Sequence, residues 1–152
     1  MIAKYIIFDL DGCISDDRRR LPLIDHSQDD PWAEYHAGCW GDPLMNEHYV
    51  VASRYFAPII FTARPAAVRR QTREWLEDVA QMKPRWIFMR SSDDRASSVE
   101  LKERFLSQCF IEHGLKPEDI FVALDDRTDI LAMYRRYAIP VCQTKYPEEV
   151  TI

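Results

Sequence analysis

Four short runs rich in β-branched and aromatic residues punctuate this chain: "KYIIF" at 4–8, "APIIF" at 57–61, "RWIFM" at 85–89 and "IFVAL" at 120–124. Each reads as a strand, and the first, apolar after its lysine, as one buried on both faces. The stretches between them are long enough to hold a helix, which is what parallel neighbours need, because the chain must cross over before the next strand can run the same way. The pattern therefore predicts an α/β fold, a parallel sheet flanked by helices on both faces.

The helices can be placed by period and by end signals. One is expected over about 44–55, before the second strand, which should end at Thr62. Pro65 suits the first turn of the next helix, whose Val68, Thr72, Trp75, Leu76 and Val79 form one apolar stripe. A third starts near Ser97, where Ser97 and Glu100 have capping-box spacing; it carries Leu101, Phe105 and Cys109 inward and ends near Gly114. A short helix over about 128–137 and a last strand at "PVCQ" complete the alternation. Residues 18–48 show no period and read as a small cap inserted after strand one, with Trp32 and Trp40 expected in its core rather than as platforms for a nucleobase, a role that stays open to them. The 152 residues, 47% of them hydrophobic, suffice for one domain over 1–152.

Charge and cysteine content narrow the function. A net charge of -5 argues against avid, sequence-blind binding to long nucleic acid. The chain has neither an apolar run of membrane length nor the charged and apolar regions of a signal peptide, which predicts a cytoplasmic protein with no membrane partner. Cys13, Cys39, Cys109 and Cys142 lie far apart, and the four histidines have no metal-ligand spacing. Buried or semi-buried thiols are expected rather than disulfides or a soft-metal site.

The polar residues that end the strands carry the chemistry. Asp9 and Asp11 follow strand one, Thr62 and Arg64 strand two, Asp125 and Asp126 strand four, and Lys102 lies early in the helix after strand three. In an open parallel sheet these ends share one edge, where such folds bind ligands. If strand one continues through Asp9, residues 9 and 11 point the same way, and two like charges there need a cation between them. Clustered carboxylates with no soft ligands suit Mg²⁺, and Mg²⁺ with Lys102 and Arg64 would let a phosphate dianion enter. The chemistry indicated is phosphoryl transfer.

"FDLDGCISDD", "FTAR", "LKERF" and "ALDDRTD" resemble, in order, the four motifs of the haloacid dehalogenase superfamily of aspartate-nucleophile phosphatases. The second half, including "TREWLEDVA" and "ALDDRTDILAMYRRYAIPVCQ", closely resembles the 3′-phosphatase domain of phage polynucleotide kinase/phosphatase, while the kinase P-loop is absent. The resemblance implies a HAD-like Rossmannoid fold with Asp9 as nucleophile, forming an aspartyl-phosphate. Asp11 would act as general acid and then general base. Thr62 would hold a phosphate oxygen, and Lys102 would neutralise charge. Asp9 and Asp126 would ligate Mg²⁺, helped by the backbone carbonyl of Asp11 and supported by Asp125. Arg64 and Arg20 fall where the phage enzymes place substrate-binding arginines.

Two positions depart from that pattern. Cys13 replaces a frequent threonine at a place that packs as well as binds, and Ser98 replaces an acid that supports the lysine, leaving Asp93 or Asp94 to serve. The implied substrate is a phosphorylated nucleotide or nucleic-acid end, foremost a polynucleotide 3′-phosphate. A 5′-nucleotidase acting on free mononucleotides is the alternative, and a non-catalytic phosphoryl-receiver or binding module is more remote. No obligate protein partner is evident.

Overall fold

The computed structural model describes residues 2–148; the one-domain expectation over 1–152 extends to residues 1 and 149–152, which lie outside the described residues. Five parallel strands form one sheet in the order β3-β2-β1-β4-β5. They are β1 (Tyr5–Phe8), β2 (Ala57–Pro65), β3 (Trp86–Arg90), β4 (Ile120–Asp125) and β5 (Val141–Gln143). From β1 the chain first winds outward through β2 and β3, then returns to β4 on the other side of β1. The strand order thus reverses between β1 and β4, and a crevice opens there at the carboxyl ends.

Side chains alternate across β1, so Ile7 faces one layer while Ile6 and Phe8 face the other. The Ile7 face is covered by α4 (Ser98–Glu112), through Leu101, Phe105, Leu106 and Cys109, and by α5 (Thr128–Arg136), through Ile130, Met133 and Tyr134. The opposite face takes Trp75 and Leu76 of α3 (Arg69–Asp78). The Ser97 capping box forms as expected, and Gly114 beyond α4 has φ +68. No described helix is long and apolar enough to cross a membrane.

Several local expectations are corrected. β2 runs past Thr62 to Pro65, which pairs with Arg90 of β3 and is at the same time the residue that leads into a 3-10 turn over Ala66–Val68 and on into α3, so it stands just before the helical turn rather than inside it; as the terminal residue of the strand, proline loses little by lacking an N–H. The stripe of α3 holds for Thr72, Trp75 and Leu76, but Val79 lies past the helix end and is exposed. The helix expected over 44–55 is only α2 (Glu47–Val51) with a 3-10 turn over Ala52–Arg54. The inserted segment has little regular structure: a 3-10 turn at Leu21–Leu23, the five-residue α1 (Ala33–Ala37) and a 3-10 turn at Cys39–Gly41. Trp32 and Trp40 are not its core but are 44% and 65% exposed. Arg20, Tyr35 and Asp42 are buried there instead.

Candidate active site

β1 stops at Phe8, one residue short of Asp9, and the chain turns sharply at Gly12, whose φ is +77. A Cβ at Gly12 would stand 2.8 Å from Asp126 Oδ2, so the glycine is required both by backbone conformation and by close approach. Because strand geometry ends before Asp9, the two motif acids are not held as a side-by-side pair. They enter two different clusters.

Asp9 joins Asp125 and Asp126, and carboxylate oxygens of all three lie within 4.8 Å of one another. Lys102 reaches them from α4, with Nζ 2.8 Å from Asp9 Oδ1 and 2.6 Å from Asp125 Oδ2. Burial works against the ammonium, yet the charges of Asp125 and Asp9 outweigh it and hold Lys102 protonated well above the usual lysine range. Burial and then Asp125 raise the carboxyls of Asp9 and Asp126. Three carboxylates here face one ammonium, an excess of two negative charges. Asp94, a candidate to support Lys102, pairs with Arg104 instead.

Asp11 is clamped by arginines. Arg64 Nη2 and Arg20 Nη2 each donate to Asp11 Oδ1 at 2.7 Å, and Arg64 Nε donates to both carboxylate oxygens at 3.1 Å. Burial alone would raise this carboxyl, but the charge and hydrogen bonds of Arg64, then those of Arg20, bring it down to about 2. Both guanidiniums are fully buried. Arg20 Nε donates to Asp42 Oδ1 at 2.7 Å and its Nη1 to the Tyr35 carbonyl, also at 2.7 Å. Arg64 also donates to Ser15 Oγ and Thr72 Oγ1, and Ser15 Oγ donates to Asp42 Oδ2 at 2.6 Å. Trp75 Nε1 donates to the Asp42 carbonyl at 2.8 Å, which seats that acid.

Thr62 is buried, and its Oγ1 accepts the Arg64 N–H at 3.2 Å. Cys13 is buried too, with Sγ facing the Leu124 carbonyl at 3.8 Å, and burial pushes its thiol up. His36 is the histidine brought near the clamp; burial lowers it to about 4, so it is neutral at pH 7. Asp42, Ser15 and Thr72 escaped sequence reasoning. Asp42 and Ser15 lie in or beside the aperiodic segment, and Thr72 was read only as part of a helix stripe. The one signal that could have found Asp42 is that two arginines near one aspartate call for a second acid.

A sheet of this order with acids at its switch point is a haloacid dehalogenase-type frame, and solved structures agree. The haloacid dehalogenase-like hydrolase SP0104 from Streptococcus pneumoniae superposes with a TM-score of 0.64 at 14% identity, covering 93% of this chain and 84% of that one. A HAD family enzyme from Bacteroides thetaiotaomicron, in complex with magnesium and inorganic phosphate, gives 0.54 at 10% identity over 98% of each chain. The model of the polynucleotide kinase PNKP phosphatase domain matches residues 3–148, and the chain belongs to that family of phosphatases. A chain in the structure of the Pnkp1/Rnl/Hen1 RNA repair complex is 24% identical with a TM-score of 0.70, covering 97% of this chain but 44% of that one. This chain therefore spans under half the length of that relative. No curated protein matches it.

Proposed function

We propose that the chain is a Mg²⁺-dependent phosphomonoesterase acting on the 3′-phosphate of a nucleic-acid end through an aspartyl-phosphate on Asp9. The observation that carries this is the family match over 3–148 together with a complete acid and lysine set at the sheet's switch point. Asp9, Asp125 and Asp126 fit a hard divalent ion, because they are all-oxygen donors with an uncompensated charge of two. With Asp9 and Asp126 as side-chain ligands and the Asp11 carbonyl assisting, bound Mg²⁺ would supply charge neutralisation for an entering phosphate dianion.

Asp9 attacks phosphorus, the bond to the leaving oxygen breaks, and that oxygen takes a proton from Asp11. Water then gives a proton to Asp11 and attacks the same phosphorus, releasing inorganic phosphate and the Asp9 carboxylate. The clamp makes Asp11 ionised at neutral pH, which is the form the second step needs. For the first step Asp11 must first take up a proton from solvent, which the clamp opposes, before it can pass that proton to the leaving oxygen. Lys102 orients Asp9 and is itself fixed by Asp125. Thr62 would hold a phosphate oxygen. Arg64 and Arg20 serve the substrate by holding Asp11, and Cys13 serves by packing the motif loop.

Residues 18–48 form the cap that selects the substrate, and exposed Trp32 and Trp40 are available to stack on a base. A second reading, a nucleotidase for free mononucleotides, is favoured by the cap's charge: six acids against three arginines, which suits a long anionic strand poorly. Phosphate release from 3′-phosphorylated oligonucleotides, 3′-mononucleotides and 5′-mononucleotides, with Mg²⁺ and with chelator, separates the two. Preference for the oligonucleotide supports the first reading, preference for 5′-mononucleotides replaces it with the second, and full activity in chelator refutes the metal.

A further inference from the structure

Beyond β5 the chain does not leave the sheet but crosses its carboxyl edge. The Thr144 N–H donates to the Asp125 carbonyl at 3.0 Å. Asn46 Nδ2 donates both to the Cys13 carbonyl at 2.8 Å and to the Lys145 carbonyl at 2.9 Å, tying this strap to the motif loop. Tyr146 follows. Its hydroxyl donates to Asp17 Oδ1, and Asp17 Oδ2 accepts the Tyr35 hydroxyl. Asp17 is buried, and its carbonyl accepts the Arg20 N–H at 2.8 Å. The Tyr35 carbonyl accepts from Arg20 Nη1 at 2.7 Å, and the Tyr35 ring lies 4.2 Å beneath the same guanidinium. Arg20 then holds Asp11.

We propose that Tyr146 is a positioning residue of this site: through Asp17, Tyr35 and Arg20 it fixes the orientation in which Asp11 is held. The inference rests on the phosphatase reading above. Burial, and then the hydrogen bond to Asp17, push the Tyr146 phenol up, so it remains a donor throughout the working range. The Tyr35–Asp17 bond is buried and the Tyr146–Asp17 bond part-buried, and connected hydrogen bonds of this kind act as a unit, so loss of one donor is felt along the network. Displacing a proton-transfer group by about 1 Å can cost about a hundredfold in rate without loss of binding. Arg18 lies 5.1 Å over the Tyr146 ring, so removal of the hydroxyl alone preserves the packing.

The test is Tyr146→Phe. On p-nitrophenyl phosphate and on the preferred nucleotide substrate alike, kcat should fall by about tenfold or more while KM and the melting temperature stay close to wild type. In an Arg20→Ala background the same change should add little, since both act through one network. An activity-free readout is phenylglyoxal modification of Arg20, followed by peptide mass spectrometry. Arg20 is fully buried in the wild type and should react at least about tenfold faster in Tyr146→Phe.

Loss of kcat with a reactive Arg20 supports the proposal. Unchanged kcat and an unchanged modification rate overturn it, as does a loss confined to KM for the nucleotide, which would make the tyrosine a substrate contact. If the wild type hydrolyses no phosphate ester yet Arg20 becomes reactive in the variant, the phosphatase reading fails while the link from strap to Arg20 stands. If Tyr146→Phe does not fold, Tyr35→Phe removes the other hydroxyl on Asp17 and takes the same measurements.

Discussion

Asp9 and Asp11 are separated by one residue and occupy opposite electrostatic surroundings. Asp11 sits where buried charge balances: two carboxylates, its own and that of Asp42, against the buried guanidiniums of Arg20 and Arg64, with the half-exposed Arg19 reaching Asp42 from the solvent side. Asp9 sits in an open cluster, where Lys102 answers only part of the charge of three acids. The first cluster is complete within the chain, while the second calls for a cation from outside. Stability should therefore depend on metal through the Asp9 side alone, and on pH through both sides with opposite sign, since the Asp11 carboxyl is lowered while those of Asp9 and Asp126 are raised.

The largest expected effect is on turnover. Asp9→Asn should lower phosphate release from p-nitrophenyl phosphate by roughly a thousandfold or more while leaving the melting temperature at or above wild type, because it removes the proposed nucleophile and relieves repulsion together. Activity within tenfold of wild type would remove Asp9 from the nucleophile's role. Next, Lys102→Met strands Asp9 and Asp125 without a counter-charge, and breaking such a buried pair costs about 3–5 kcal/mol. Urea melts in chelator should show this loss, and added Mg²⁺ should restore part of it; no loss would mean the acids are already neutral.

A third effect concerns metal alone. At about a hundredfold excess over its dissociation constant, Mg²⁺ should stabilise the wild type by about 3 kcal/mol, read as an upward shift in melting temperature. Asp126→Asn should shrink that shift and Asp11→Asn should not. Equal shrinkage in both would erase the contrast between the clusters. The smallest effect is the acid limb. The Asp11 carboxyl is lowered from 3.8 to about 2 in the folded chain, so its stabilisation is fully present above pH 4 and is lost as pH falls through 2. The amount is about 2 kcal/mol, measurable as the difference between wild-type and Asp11→Asn urea melts at pH 6 and pH 2.5.

The open cluster was legible in the sequence and the balanced one largely was not. Asp9, Asp125 and Asp126 end strands that short apolar runs announce, and a parallel sheet brings such ends together whatever else the chain does. Lys102 was legible because an early helix position disfavours a lone cation. The clamp depends on Asp42, supplied by a segment with neither period nor regular length, and nothing in spacing tells that it folds back onto Arg20. The same blindness misplaced Trp32 and Trp40: with arginines, tyrosine and aspartate satisfying one another inside, the insertion is packed around polar groups and its tryptophans stay outside. Pro65 is a strand end and a helix approach at once, and proline's fixed φ suits both, so the sequence showed the second role and hid the first.

The central position of β1 also has a bearing on how the protein is made. Asp9 leaves the ribosome 93 residues ahead of the lysine that holds it, and β4, which lies beside β1, follows later still. Such long-range pairings form slowly, since chain entropy is lost before contacts repay it. A nascent chain therefore carries the acids of the first motif long before it can assemble the cluster that uses them, and competence for phosphate chemistry arrives only with closure of the whole sheet.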